Sequence, residues 1–332
     1  MKTGPAKIYG SVHSAIYLTR EKEPADGKPV ELAIKIIKNR KSKEISIVKK
    51  LNHRNIIGIY SNSYCIKYRW FAMQYFKTNL KEILPIKNQE YKYYIIKCVV
   101  EGLKYLGEQN IVHRDIKPQN ILIHNEQVRI GDFGVAKYIK EGREEEKVSA
   151  FADSTEKNGQ KSDHAEIVGI EDFLMEELDS SSEFDSFQPI DEETDKLKKS
   201  GVMGTLHYIP LEILLGSRDY GCEVDMWAAG CTFWEVFFNE VCFSGDCEIN
   251  QIGEIVRKIG VTQEDKDILE KYPFSGFIPI TKGKKLDLFT DMSAMERGIL
   301  ASLLTLDAER RSFNTESINA VLSKDYINIE YT

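Results

Sequence analysis

Cysteine is sparse and unclustered in this chain. The six residues, Cys65, Cys98, Cys222, Cys231, Cys242 and Cys247, include no Cys-x-x-Cys pair. Zinc-ligand spacing and a disulfide-dense framework are therefore both lacking, and a reduced, intracellular chain is expected, nuclear or cytoplasmic. Long apolar runs are missing as well. The most apolar stretch, Met226 to Phe238, is short and contains Glu235, which reads as a buried helix and not a membrane span. Met1 to Gly10 carries no apolar core, so no secretory signal is expected. Positive charge is also in short supply: the formal net charge is −7.

That charge is unevenly spread. Between Ile139 and Ser200 there are 19 acidic and 8 basic residues, a local balance of −11, which leaves +4 for the rest. An acidic block thus interrupts a mildly basic body, and the body is not basic enough to imply nucleic-acid binding. With 332 residues and a hydrophobic fraction of 42%, the chain has ordinary globular composition and a length that suits two lobes better than one minimal core.

The first part reads as strands. Ile8 to Leu18 and Val30 to Ile37 mix β-branched and polar residues around a turn-rich gap, and Tyr68 to Phe76 is a third such run. Glu44 to Leu51 carries a helical stripe. Beyond Leu80 helices dominate, at Tyr91 to Leu106, Val224 to Phe238 and Ala294 to Leu306. The expected class is α+β: a small β-rich lobe over 1–76 and a larger helical lobe over 77–332. The segment from about 140 to 199 is rich in Glu, Asp and Ser and reads as a solvated, disordered insertion. Its Ile167, Ile170, Leu174 and Leu178 recur at helical spacing, so a docking helix for a partner or for the chain's own surface stays open.

The chemistry concentrates in His113-Arg114-Asp115-Ile116-Lys117-Pro118-Gln119-Asn120, followed twelve residues after Asn120 by Asp132-Phe133-Gly134. Phosphoryl transfer from ATP needs a carboxylate to orient a hydroxyl and take its proton, which suits Asp115. It needs oxygen donors for Mg²⁺, which suit Asn120 and Asp132, and a cation near the moving group, which suits Lys117. Ile121-Leu122-Ile123 and Val128-Arg129-Ile130 read as a hairpin joining the two sets.

These motifs resemble the eukaryotic protein kinases, and the likeness spans nearly the whole chain. It implies the bilobal kinase fold, ATP and Mg²⁺ as cofactors, and protein substrates. Lys117 two residues after Asp115 is the serine/threonine form. By the same resemblance Lys35, in Ala33-Ile34-Lys35, would hold the ATP phosphates and pair with Glu44. Met73 would be the gatekeeper, Gln74 and Phe76 would present backbone groups to adenine, and Val12, Ala33 and Leu122 would sandwich the base. Asp225-Met226-Trp227 with Gly230 resembles the buried helix under the catalytic loop, and Glu212 and Arg311 the ion pair closing the activation segment.

Lys43 to Ile57 and Ser244 to Ile252 resemble the cyclin-dependent (CMGC) kinases in particular, which implies a role in cell division and a cyclin-like or other activating subunit. Tyr9 then falls at the inhibitory tyrosine. Ser200 falls at the activating phosphosite, with Arg114 as phosphate receiver. The departures are specific. Pro5 to Val12 keeps only Gly10 of the glycine-rich loop. Glu44 lies only nine positions after Lys35, and Asn39 to Lys43 replaces the cyclin-docking sequence. Ile209 replaces the arginine tied to proline-directed substrates, so no proline after the acceptor is expected. Two further readings stay open: a replication-initiating, partner-dependent kinase with an activation-segment insertion, and a pseudokinase scaffold.

Overall fold

A computed structural model of the protein describes residues 6–10, 14–20, 31–37, 42–64, 69–139, 204–281 and 292–326. Val12, Ser200, and the acidic segment with its candidate docking helix lie outside the described residues. The described residues form two units. The first takes in those up to Lys49 together with Gly58–Tyr75; the second takes in Lys50–Ile57, Phe76–Ile139 and those from Gly204 onward. The division thus falls one residue earlier than the expected 76/77 boundary, and Lys50–Ile57 goes with the second unit. The reason lies in its backbone: the amide of Ile57 donates to the Ile130 carbonyl and the amide of Ile130 donates to Asn55, at 3.0 and 2.8 Å.

In the first unit, β1 (Ala6–Gly10), β2 (Ser14–Arg20), β3 (Glu31–Ile37), β4 (Ser61–Tyr64) and β5 (Arg69–Gln74) form an antiparallel sheet in the order β1-β2-β3-β5-β4. β3 is central, and its Leu32 to Ile37 are buried without alternation, as a strand covered on both faces requires. The helix α1 (Glu44–Val48) has only five residues. Its Ile45, Ile47 and Val48 are β-branched, which lowers helix propensity, while the Ser42 hydroxyl accepts the Glu44 amide at its start, at 3.2 Å.

The second unit is mainly helical. After β6 (Thr78–Asn79) and the short α2 (Leu80–Ile83), the long α3 (Gln89–Glu108) begins where the Asn88 side chain accepts the Tyr91 amide at 3.1 Å. Ile95, Ile96, Val99, Val100, Leu103 and Leu106 form its buried stripe. The catalytic-type loop lies between β7 (Ile111–Val112) and β8 (Ile121–His124), and β8 turns into β9 (Gln127–Ile130) as the expected hairpin. β6 joins that hairpin, and β10 (Lys137–Tyr138) pairs with β7. Then follow α4 (Leu211–Leu214), α5 (Glu223–Phe238), α6 (Glu248–Ile259), α7 (Gln263–Leu269), α8 (Ala294–Leu303) and α9 (Glu316–Ser323). The helix α5 is buried along almost all of its length, which accounts for the apolar run in the sequence. Among the described residues no helix is long and apolar enough to cross a membrane.

Candidate active site

The loop from His113 to Asn120 is held from below by one carboxylate. Asp225, in the first turn of α5, is 3% exposed. It accepts the backbone amides of His113 and Arg114 at 2.7 and 2.8 Å. Arg114 sits at a φ of 68°, a left-handed conformation that costs a non-glycine residue roughly 1–2 kcal/mol. The carboxylate bonds on either side of that turn offset this strain. Burial pushes the Asp225 carboxyl above its ordinary range, and the two amides together with the nearby His113 and Arg114 pull it back.

His113 fixes the rest of the loop. Its ring accepts the Asp115 amide at Nδ1, at 3.3 Å, so the proton sits on Nε2, which donates to the Gly131 carbonyl at 2.9 Å. The buried Phe133 ring meets it edge-on at 4.8 Å. One imidazole therefore ties the Asp115 turn to Gly131-Asp132-Phe133. Leu122 reinforces this join, because its side chain fills the space in which a Cβ on Gly131 would stand, at 2.7 Å.

The carboxylate of Asp115 is the convergence point. Its Oδ2 accepts Lys117 Nζ at 2.7 Å and Asn120 Nδ2 at 3.0 Å. Its Oδ1 accepts both the amide and the hydroxyl of Thr205, at 3.1 and 2.8 Å. Lys117 Nζ also donates to the Thr205 hydroxyl at 2.7 Å. A carboxylate so surrounded is fixed in direction, with a cation and a hydroxyl beside it.

Asn120 spends its amide protons on the Asp115 carbonyl and carboxylate, which leaves its oxygen as acceptor. Asp132, at a φ of 58°, is exposed, and its Oδ1 accepts the Gly134 amide at 3.3 Å. No group of three or more His, Cys, Asp or Glu that could hold a metal occurs among the described residues. Two hard oxygen donors on one loop system nevertheless suit Mg²⁺, which takes one or two protein ligands and completes its shell with phosphate and water.

In the first unit, Lys35 Nζ meets Glu44 Oε1 at 2.6 Å, both side chains nearly fully buried. Ala33 lies beside Met73 across β3 and β5, and Gln74 pairs with Leu32 at the strand end. Tyr9 lies in β1 opposite Ile16. Phe76, in the second unit, is buried with its ring edge-on to His124 and under the Arg129 guanidinium. Arg114 donates to two neutral acceptors, the Val135 carbonyl at 2.6 Å and the Tyr220 hydroxyl at 3.1 Å. Glu212 and Arg311 form a buried bidentate pair at 2.6 and 2.8 Å, with the guanidinium also 4.9 Å from the Trp227 ring centre.

A further network joins residues far apart in the sequence. Glu235, fully buried on α5, accepts the Tyr208 hydroxyl and, at 2.7 Å, Lys81 Nζ of α2. Its only trace in the sequence is the single charge inside the apolar run.

Comparison with known proteins places this geometry. Residues 9–156 and 180–327 match the family described as "Protein kinase domain". The chain is 28% identical over 265 residues to a probable cell division protein kinase of Encephalitozoon cuniculi, covering 79% of this chain and 80% of that one. It is 25% identical over 329 residues to cyclin-dependent kinase 2 of Caenorhabditis elegans, covering 91% and 72%. A mitogen-activated protein kinase of Blumeria graminis is 25% identical over 297 residues, covering 85% and 66%. With its fixed catalytic-type carboxylate and a family match over 9–156 and 180–327, the chain belongs to the protein kinase domain family.

Proposed function

We propose that the chain is a serine/threonine protein kinase of cyclin-dependent type, acting inside the cell on protein hydroxyls. The observation that carries this reading is the Asp115 carboxylate, held by Lys117 and Asn120 on one oxygen and by Thr205 on the other. Bound Mg²⁺–ATP supplies the phosphoryl group. Asp115 would orient the acceptor hydroxyl and take its proton as the new O–P bond forms and the bond from the γ-phosphorus to the β–γ bridging oxygen breaks, releasing ADP. Lys117 places positive charge beside that oxygen. Asn120 and Asp132 would hold the metal, and Lys35, steadied by Glu44, would hold phosphate.

Two features support a distinctive choice of partner and substrate. The five-residue α1 gives Glu44 a short support, which favours an activating subunit, cyclin-like or other. Ile209 is buried, packed near Gly204, and offers no charge at the position where the related kinases carry an arginine. The test is a degenerate peptide library with serine, threonine and tyrosine acceptors, incubated with Mg²⁺–ATP, with and without candidate cyclins. Phosphate on serine or threonine with no need for a following proline is expected. Phosphotyrosine as the sole product would overturn the acceptor assignment, and a strict proline requirement would overturn the reading of Ile209.

A further inference from the structure

Glu235 is an expensive residue in its position. Its side chain is fully buried, and its α5 neighbours Phe233, Trp234 and Val236 are apolar. A carboxylate is stable there only with its charge paired and its oxygens bonded. Both oxygens are used. Oε1 accepts the Tyr208 hydroxyl and Oε2 accepts Lys81 Nζ at 2.7 Å. The cation comes from α2, 154 residues earlier in the chain, and its side chain is 44% exposed.

What the carboxylate holds is the turn facing Asp115. Tyr208 ends a short helical turn in which its own amide donates to the Thr205 carbonyl at 2.9 Å. Thr205 in turn gives both its amide and its hydroxyl to Asp115. A continuous series of bonds therefore runs from the half-exposed lysine through Glu235 and Tyr208 to Thr205 and the Asp115 carboxylate. Burial and the adjacent Glu235 push the Tyr208 phenol far up, so Tyr208 stays a donor throughout the working pH range. α5 also carries Asp225, ten residues before Glu235 and about 15 Å away along the axis. The same rigid helix thus anchors the Asp115 loop at one end and the Thr205 turn at the other.

We propose that Lys81 is a positioning residue for phosphoryl transfer, acting through Glu235 and Tyr208 to hold the Thr205 turn against Asp115. The proposal rests on the transfer reaction proposed above and predicts an effect on the acceptor side alone. Losing the lysine charge leaves a buried carboxylate with one neutral donor; the pairing that orients Tyr208 is then lost, and the Thr205 turn loosens. The nucleotide-side residues Lys35 and Glu44 are not part of the series.

The test uses the full chain with Lys81→Met, which keeps side-chain length and removes charge, and Lys81→Arg, which restores it. Amide hydrogen exchange is read at Thr205 and Tyr208, and kinetic constants are measured for an acceptor peptide and for ATP. Lys81→Met is expected to speed exchange at these two amides about tenfold and to lower kcat/KM for the peptide about tenfold, with KM for ATP unchanged. Lys81→Arg is expected to restore both. Unchanged exchange at Thr205 in Lys81→Met would overturn the proposal, as would failure of Lys81→Arg to rescue. A wild-type chain that transfers no phosphate would refute the proposed function, while exchange at Thr205 would still decide the role of Lys81.

Discussion

Replacing Asp225 by asparagine is the sharpest probe of how the catalytic loop is held. The carboxylate accepts two backbone amides, from His113 at 2.7 Å and Arg114 at 2.8 Å. An asparagine of the same shape offers one oxygen, so one amide keeps a neutral acceptor and the other faces an NH₂ group. A hydrogen bond to a charged acceptor contributes roughly 1.5–3 kcal/mol, and leaving a buried donor unsatisfied costs roughly 1–3 kcal/mol. Against this, the neutral amide escapes the burial penalty that pushes the Asp225 carboxyl up. The net loss is therefore about 2–4 kcal/mol, a large part of a typical domain's stability. Urea unfolding followed by fluorescence would measure it, with a lowered midpoint and an unchanged slope. Arg114, at its φ of 68°, would relax once its amide is released, so hydrogen exchange should rise first at His113 and Arg114. A loss below about 0.5 kcal/mol, with both amides still protected, would refute the claim that this carboxylate holds the loop.

Two further predictions follow from packing and burial. Gly230 faces the C-terminal end of α8, where an added Cβ would lie 2.8 Å from Cδ2 of Leu304, just past the helix, and 3.0 Å from Leu303 Cβ; Gly230→Ala should therefore destabilise by roughly 1–3 kcal/mol despite its better helix propensity, and a raised melting temperature would contradict the packing argument. Burial pushes the Cys98 thiol up to about 11, leaving roughly 0.1% thiolate at pH 8. Iodoacetamide on the native protein should label the exposed Cys247 and spare Cys98, and equal labelling in a peptide map would contradict it.

The loop around Asp115 was legible in the sequence because its residue types are rare in combination. A carboxylate, a lysine two residues on and an asparagine three beyond that, followed by Asp-Phe-Gly, form the pattern from which a phosphoryl-transfer loop is expected, and the structure brings Lys117 and Asn120 onto the Asp115 carboxylate. Helix α5 was legible from its apolar run and the central strand β3 from its β-branched residues. The strand β4, Ser-Asn-Ser-Tyr, carries no alternation, and it is a strand only because it pairs with β5. The affiliation of Lys50–Ile57 was hidden for a similar reason, since backbone bonds to β9 decide it. The Lys81–Glu235–Tyr208 series was illegible because its partners are 154 and 27 residues apart. Sequence spacing carries no information about a contact made through the buried face of a helix.

The central claim is that Asp115 serves as the proton-accepting carboxylate of a phosphoryl-transfer centre. The most direct measurement is labelled-phosphate transfer from Mg²⁺–ATP to a serine or threonine peptide by the wild-type chain and by Asp115→Asn, with equal folding shown by their melting temperatures. Transfer by the wild type and a loss of roughly 10²–10⁴-fold in the variant are predicted. Equal rates in the two proteins, or no transfer by the wild type with any activating subunit, would contradict the account.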